Sequence, residues 1–386
     1  MKRLAKAFLA AAVIGFGGSV VASTTVLIAP RVVMPDGSLA TDRLVEIDGR
    51  GRIRRVVGAA ELPSGTEAVR LPEGSVLSPG LIDLMSRVGV WGQNDEPMHP
   101  IDPEVTVADA FAPDAPDLAA ACAAGITAAM IVPRFDGLVD GAAAMVRTAG
   151  QSPIVEREAA LVTGLGEPAL QTAFGPTSRA GALFALRDAI PSGGGELASA
   201  RFAAALNGEL PVFARAVETE DVSAWLRFWS ARGVAPVIVH ADDAVEIAEE
   251  LAEYEVAAVV GPYGFTSSER LLHGAAALDA AGVPVAFASG YPASSPDQLR
   301  MTAALAVRYG MSPESARRAM TSEAARLAGM DSEMGRIAPG CAADLVLFSG
   351  DPLRLDSRVL KVWVGGEAVE LPSHSTEEPA FMGVSQ

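Results

Sequence analysis

Imidazole is scarce in this chain. Four histidines, His99, His240, His273 and His374, are spread over 386 residues, and Cys122 and Cys341 are the only cysteines. Two thiols build neither a cysteine-based zinc site nor a disulfide framework. Four imidazoles are few for a histidine-built metal centre. His240 is the best placed of them, because it ends the apolar run Pro236-Val-Ile-Val. A strand end there would present it as a general acid or base near neutral pH, or merely let it pack and hydrogen-bond. His99 lies in the proline-rich stretch Glu96-Pro-Met-His-Pro100, His273 on a helical pattern and His374 in a polar tail, and each reads as a surface residue. Asp242-Asp243, just past His240, suits a helix N-cap, where negative charge meets the positive end of the dipole. No Gly-x-Ser-x-Gly elbow marks a serine nucleophile. Ser86 and Ser289 are therefore nucleophile candidates only if His240 activates them.

These residues need a scaffold to bring them together. Apolar runs at 126–132, 211–216, 236–240, 256–260 and 284–288 alternate with helical patterns at 117–124, 197–206, 220–232, 242–254, 267–280 and 312–328. Strands that are apolar throughout imply a parallel sheet covered on both faces. About eight strand–helix units over some 250 residues suit a closed (β/α)8 barrel better than an open sheet. Shorter strand patterns flank this region, at 25–28, 44–48 and 52–57 before it and at 345–348, 359–364 and 367–369 after it. The fold class is thus α/β: a barrel spanning 75–334, inserted in a small discontinuous β-sandwich made from 23–74 and 335–386.

Lys2, Arg3 and Lys6 precede an apolar, small-residue stretch with Val20-x-Ala22 at its end, which is the pattern of an export signal over 1–22. The expected product is exported, with the periplasm as its destination, and holds no membrane after cleavage. A hydrophobic fraction of 50% excludes a disordered chain. A formal charge of −17 excludes a nucleic-acid binder, which must neutralise phosphates.

Two segments carry a family resemblance: Ser78-Pro-Gly-Leu-Ile-Asp83, opening the barrel, and Gly335-Arg-Ile-Ala-Pro-Gly-Cys-Ala-Ala-Asp-Leu-Val-Leu-Phe348, followed by Asp351-Pro352. With the β–barrel–β order, they resemble the metal-dependent amidohydrolase superfamily, in particular its imidazolonepropionase-like branch. The resemblance implies hydrolysis of non-peptide C–N bonds in amides or cyclic amides. It also implies divalent metal held at strand ends, lowering the pKa of a bound water to ~7. The expected ligands are a His-x-His pair after strand 1, one His each after strands 5 and 6, and an Asp after strand 8.

At those positions this chain carries Met85 and Arg87, Arg215, His240, and Gly290. Only His240 keeps a ligand. A guanidinium stays protonated and has no lone pair to offer a cation. Two beside a divalent ion add repulsion on the order of several kcal/mol. Met85 suits soft Cu(I), not a zinc that must activate water. The expectation is therefore no metal cofactor, and a pseudoenzyme whose Arg87 and Arg215 either form a pocket for a small carboxylate or phosphate or pair with Asp83, Asp95 or Glu218. Such a protein would bind a ligand or serve as a partner subunit, as a homo-oligomer or beside an intact amidohydrolase. The alternative is an active hydrolase with an atypical site around His240, drawing on Asp242, Asp95 or Glu96, with zinc needed only in that case. Gly261-Pro-Tyr-Gly264, ending strand 7, is placed to shape the pocket floor.

Overall fold

The computed structural model describes residues 24–92, 99–134, 136–170, 175–191, 199–241 and 244–371. The export-signal segment 1–22, Asp95, Glu96, Asp242, Asp243 and His374 lie outside these residues.

The N- and C-terminal segments join in one sheet. Strands β1 (Thr25–Val33), β2 (Leu39–Ile47), β3 (Ile53–Gly58), β4 (Val69–Arg70) and β5 (Val76–Pro79) come from the first segment. After the barrel, β14 (Leu345–Phe348), β15 (Val359–Val364) and β16 (Glu367–Val369) complete the order β16-β15-β14-β5-β1-β2-β3, with β4 beside β1. Alternate residues fill a local core, among them Leu27, Ala29, Val45, Ile47, Leu345 and Leu347. The other face of β14, Val346 and Phe348, packs with the barrel. That double burial is why this strand reads as an unbroken apolar run.

The chain passes from one sheet to the other within the Ser78-Pro-Gly-Leu-Ile-Asp83 motif. Residues 76–79 pair with β1 and β14, so the barrel begins at Leu81 and not at 75. Gly80 makes the crossing, where a Cβ would stand 1.8 Å from Thr127 Oγ1. Only glycine lets the two segments approach this closely.

The second sheet orders β6 (Leu81–Ser86), β7 (Ile126–Ile131), β8 (Val139–Arg147), β9 (Ile154–Gly164), β10 (Val212–Arg215), β11 (Val237–Val239), β12 (Ala257–Val260) and β13 (Val285–Phe287) consecutively. It curls until β13 lies beside β6, giving a nearly closed eight-stranded barrel. Alternation sorts its side chains into two cores. Ile82, Met130, Val162, Phe213, Val239 and Val259 fill the interior. Leu81, Ile131, Leu161, Ala214, Ile238 and Val260 face the surrounding helices. One of those helices, Thr219–Ser230, buries Val222, Trp225, Leu226 and Trp229 at helical spacing, with the Trp225, Phe228 and Trp229 rings packed edge-to-face or tilted against one another.

Eight strand–helix repeats are expected, and the molecule departs from this at β8. That strand runs antiparallel between β7 and β9, and no helix intervenes on either side. Its Ala-rich sequence carries no strand signal of its own, and pairing on both edges overrides that weak local preference. The helix pattern at 312–328 is likewise two helices, Pro313–Ala319 and Ser322–Leu327. At the break, the Met320 carbonyl accepts the Ile82 N–H at 2.9 Å, tying the helix ends to β6. Helices Arg179–Ala189 and Gln298–Arg308 have no counterpart in the sequence patterns above.

Candidate functional site at the barrel mouth

The carboxyl ends of the barrel strands enclose a cavity of about 560 Å³, lined in part by Met85, Arg87, Arg215, His240 and Gly290. β10 is the fifth barrel strand and ends at Arg215; β11 is the sixth and is followed directly by His240. All five substituted or retained ligand positions therefore border one space.

His240 holds a left-handed backbone, φ 58°, rare for a residue with a side chain. Its amide donates to the Val259 carbonyl at 3.1 Å, and its ring hydrogen-bonds the backbone of Gly261. Burial pushes its pKa down to about 4, with the Arg215 charge adding to the effect. His240 is thus neutral at pH 7, and an imidazole so weakly basic makes a poor general base there. A folded-state value below the unfolded ~6.5 means that the contribution to stability is whole above pH 6.5 and declines as pH falls toward 4. Between pH 7.5 and 4.5 wild type should lose roughly 2–3 kcal/mol that His240→Gln does not lose, read from urea unfolding at the two pH values. Parallel pH dependences in the two proteins would contradict the burial assigned to this ring.

Asp83, at the centre of β6, is fully buried and ties the barrel seam. It accepts the Ser289 hydroxyl at 2.5 Å, the Ser289 amide at 3.0 Å and the Met85 amide at 3.4 Å. Burial raises its carboxyl pKa, against the lowering effect of these donors. Ser289, a nucleophile candidate only if His240 activates it, donates its hydroxyl to Asp83 and accepts from the Tyr291 amide at 3.1 Å. Ser86 is buried, bonds Asp83 in turn and accepts from the Val88 amide at 3.4 Å.

Arg215 donates to the Glu167 carbonyl at 2.5 Å. Glu218, one of its expected partners, instead lies 3.6 Å from Arg179. Sequence patterns alone missed a third lining guanidinium, Arg134, which pairs with Asp136 at 3.1 Å, both in the cavity wall just past β7. Its position after a barrel strand was the available signal. They also missed Asp117, whose Oδ2 accepts the Tyr291 hydroxyl at 3.0 Å, the Trp91 indole N–H at 3.0 Å and the Gly89 amide at 3.1 Å. Tyr291 lines the cavity, so this carboxylate fixes part of the rim. Pro262 of the 261–264 turn lines the cavity. His99 is exposed, while His273 sits on the outer helix Glu269–Ala280 and bonds the Tyr309 carbonyl at 3.1 Å. Cys122 and Cys341 are both buried free thiols.

A sequence model of the amidohydrolase family matches residues 200–370. The chain is similar to an amidohydrolase from Thermotoga maritima MSB8 at 25% identity, with a TM-score of 0.80 over 90% of this chain and 100% of that one. Residues 200–370 thus carry the amidohydrolase family's sequence pattern, and the chain shares the fold of the Thermotoga protein. At the level of fold, the chain also resembles a putative prolidase from Bifidobacterium longum (17% identity, TM-score 0.55, 90% and 95% of the two chains) and the A. niger ochratoxinase (17%, 0.56, 91% and 96%). No curated protein matches it. No helix among the described residues is long and apolar enough to cross a membrane.

Members of the amidohydrolase superfamily are expected to hold divalent metal at the strand ends, and the residues present here do not fit one. The side chains bordering the cavity at those positions are one imidazole, a thioether and two guanidiniums. Among the described residues, no three His, Cys, Asp or Glu side chains group closely enough to hold an ion. Gly290 stands where the resemblance implies an aspartate ligand. Its φ is +74°, and a Cβ there would stand 2.7 Å from Pro262 Cγ and 3.0 Å from Ser294 Oγ. An aspartate at this position would be strained against Pro262 and Ser294.

Proposed function

We propose that this amidohydrolase-superfamily protein is a pseudoenzyme whose barrel mouth takes a small anionic ligand where its relatives hold metal. One observation carries the reading: Met85, Arg87, Arg215, His240 and Gly290 border a single cavity, with Arg134 as a third guanidinium in its wall. Guanidiniums present paired donors that match a carboxylate or phosphate, and a partly enclosed site strengthens such bonds. Apolar wall from Val132, Pro133 and Pro262 leaves room for the organic part of such a ligand. The neutral His240 and the committed Ser289 weigh against the alternative of hydrolysis centred on His240. The protein acts by binding, alone or as the partner subunit of an intact relative. The basic, then apolar residues 1–22 support export, with the periplasm as destination.

The test is thermal unfolding against succinate, phosphate and N-acetyl amino acids, in parallel with elemental analysis and hydrolysis assays on N-acyl amino acids, dipeptides and cyclic amides. At 100 times Kd a ligand raises stability by about 2.7 kcal/mol, and Arg87→Ala should abolish that gain. Stoichiometric divalent metal together with amide turnover would overturn the proposal.

A further inference from the structure

We propose a second anion site, remote from the barrel mouth, for a phosphate-type dianion bound between the C-terminal ends of helices Arg179–Ala189 and Thr219–Ser230. A concavity of about 240 Å³ lies there, lined by Arg187, Arg227 and Arg232 over an apolar floor that includes Leu183, Ala224 and Phe228. Arg232 lies five residues before β11 begins, which places the concavity at the amino ends of the strands, opposite the mouth.

The three cations are crowded and unbalanced. Arg232 donates Nε to the Ile190 carbonyl at 2.6 Å and Nη1 to the Phe228 carbonyl at 2.9 Å, bridging the two helix ends. Its guanidinium carbon sits 3.7 Å from the centre of the Phe228 ring. Its Nη2 is buried without an acceptor. Burial and the nearby Arg187 charge both lower its pKa, which puts the two guanidiniums within electrostatic reach of each other. Among the described residues, no carboxylate forms an ion pair with Arg187, Arg227 or Arg232, although Asp188 adjoins Arg187 in sequence. The chain carries 47 acidic side chains against 30 basic ones, so three neighbouring arginines without one acidic partner are not what its composition alone would produce. A basic residue at each helix end complements the dipole. That accounts for one guanidinium per helix, not for three around one concavity.

A tetrahedral dianion answers this geometry. Its several oxygens can accept from guanidiniums on different sides, bidentate where the fork allows, and two negative charges offset most of three positive ones. Arg187 and Arg227 are exposed and free to close on it, and Arg232 is already oriented by two carbonyls. The apolar floor gives the carbons of a phosphomonoester a surface to pack on. Phe184, 73% exposed, lies one turn before Arg187. The same phosphate chemistry can therefore arrive free in solution or on a lipid headgroup, with Phe184 meeting the acyl region.

The experiment is calorimetric titration of the full chain with inorganic phosphate at fixed ionic strength. It is paired with co-sedimentation on phosphatidic acid vesicles, with phosphatidylcholine vesicles as control. The expected result is a phosphate-binding component weakened at least tenfold in Arg187→Ala/Arg227→Ala and retained in Arg87→Ala, which separates it from the mouth cavity. Both substituted side chains are exposed, and unfolding temperature in phosphate-free buffer checks that the variant is folded. Sedimentation with phosphatidic acid alone assigns the lipid-borne source, and titration without sedimentation assigns the free one. No binding in either arm, or equal binding by the double variant, overturns the site.

Discussion

Combining Met85→His, Arg87→His and Arg215→His is expected to create a zinc site where wild type has none of useful affinity. The triple variant should bind about one equivalent of zinc, at least ~100-fold more tightly than wild type, as measured by competition with a chromophoric chelator. Zinc prefers about four nitrogen, sulfur or oxygen donors, three from protein suffice when water takes the fourth place, and each must carry a lone pair. The wild-type cavity offers His240 and no second strong donor at the family positions. The low pKa of that imidazole leaves its lone pair available at pH 7. The exchange removes two fixed positive charges and adds three neutral donors around it. Gly290→Asp, by contrast, should not help. Its Cβ meets Pro262 and Ser294, so it should destabilise the fold by about 1–3 kcal/mol without adding a ligand. Tight stoichiometric zinc in wild type at low micromolar free metal would show that the substituted strand ends are not what excludes it.

How far the sequence discloses this molecule depends on whether a feature is local. Strands β10 to β13 are short apolar runs closed by turn residues, so their places and the residues at their ends follow from local pattern. Arg215 ends β10, His240 follows β11 directly and Gly290 lies just past β13. The crossing at Gly80 keeps its motif because Thr127 leaves no space. The hairpin of β8 and β9 is different. Its Ala-rich run 142–144 and the mixed Glu156-Arg-Glu158 resemble helix as much as strand, and only pairing with β7 and β10 settles them. Partners across the barrel are hidden for the same reason. Asp83 and Ser289 are 206 positions apart, and Tyr291 is 174 from Asp117. No periodicity links such pairs before the barrel closes. The guanidiniums at the mouth were legible as substituted ligands, whereas Arg134 and Asp136, which match no expected ligand position, were not.

Asp117→Ala is expected to be the most damaging single change at the rim, costing about 2–4 kcal/mol and lowering the unfolding temperature by roughly 5 °C or more. The carboxylate is buried in the first turn of helix Pro116–Ala123, where the dipole favours its charge. Three donors from two other segments meet on its Oδ2: the Gly89 amide and Trp91 indole from the connection after β6, and the Tyr291 hydroxyl from the connection after β13. Truncation leaves all three without an acceptor, and the Gly89 amide is buried. Tyr291 loses the bond that fixes its ring against the cavity, so anion affinity at the mouth should fall along with stability. Trp91 offers a direct reading, because it is 59% exposed while Trp225, Trp229 and Trp363 are all buried. Loss of the indole bond should change the emission of this residue alone, and Trp91→Phe should remove the change. Asp117→Asn keeps one acceptor oxygen and the volume but loses the charge, so its cost should fall between wild type and alanine. If alanine here costs less than about 0.5 kcal/mol with emission unaltered, the rim is held by its backbone and the three bonds to Asp117 are incidental.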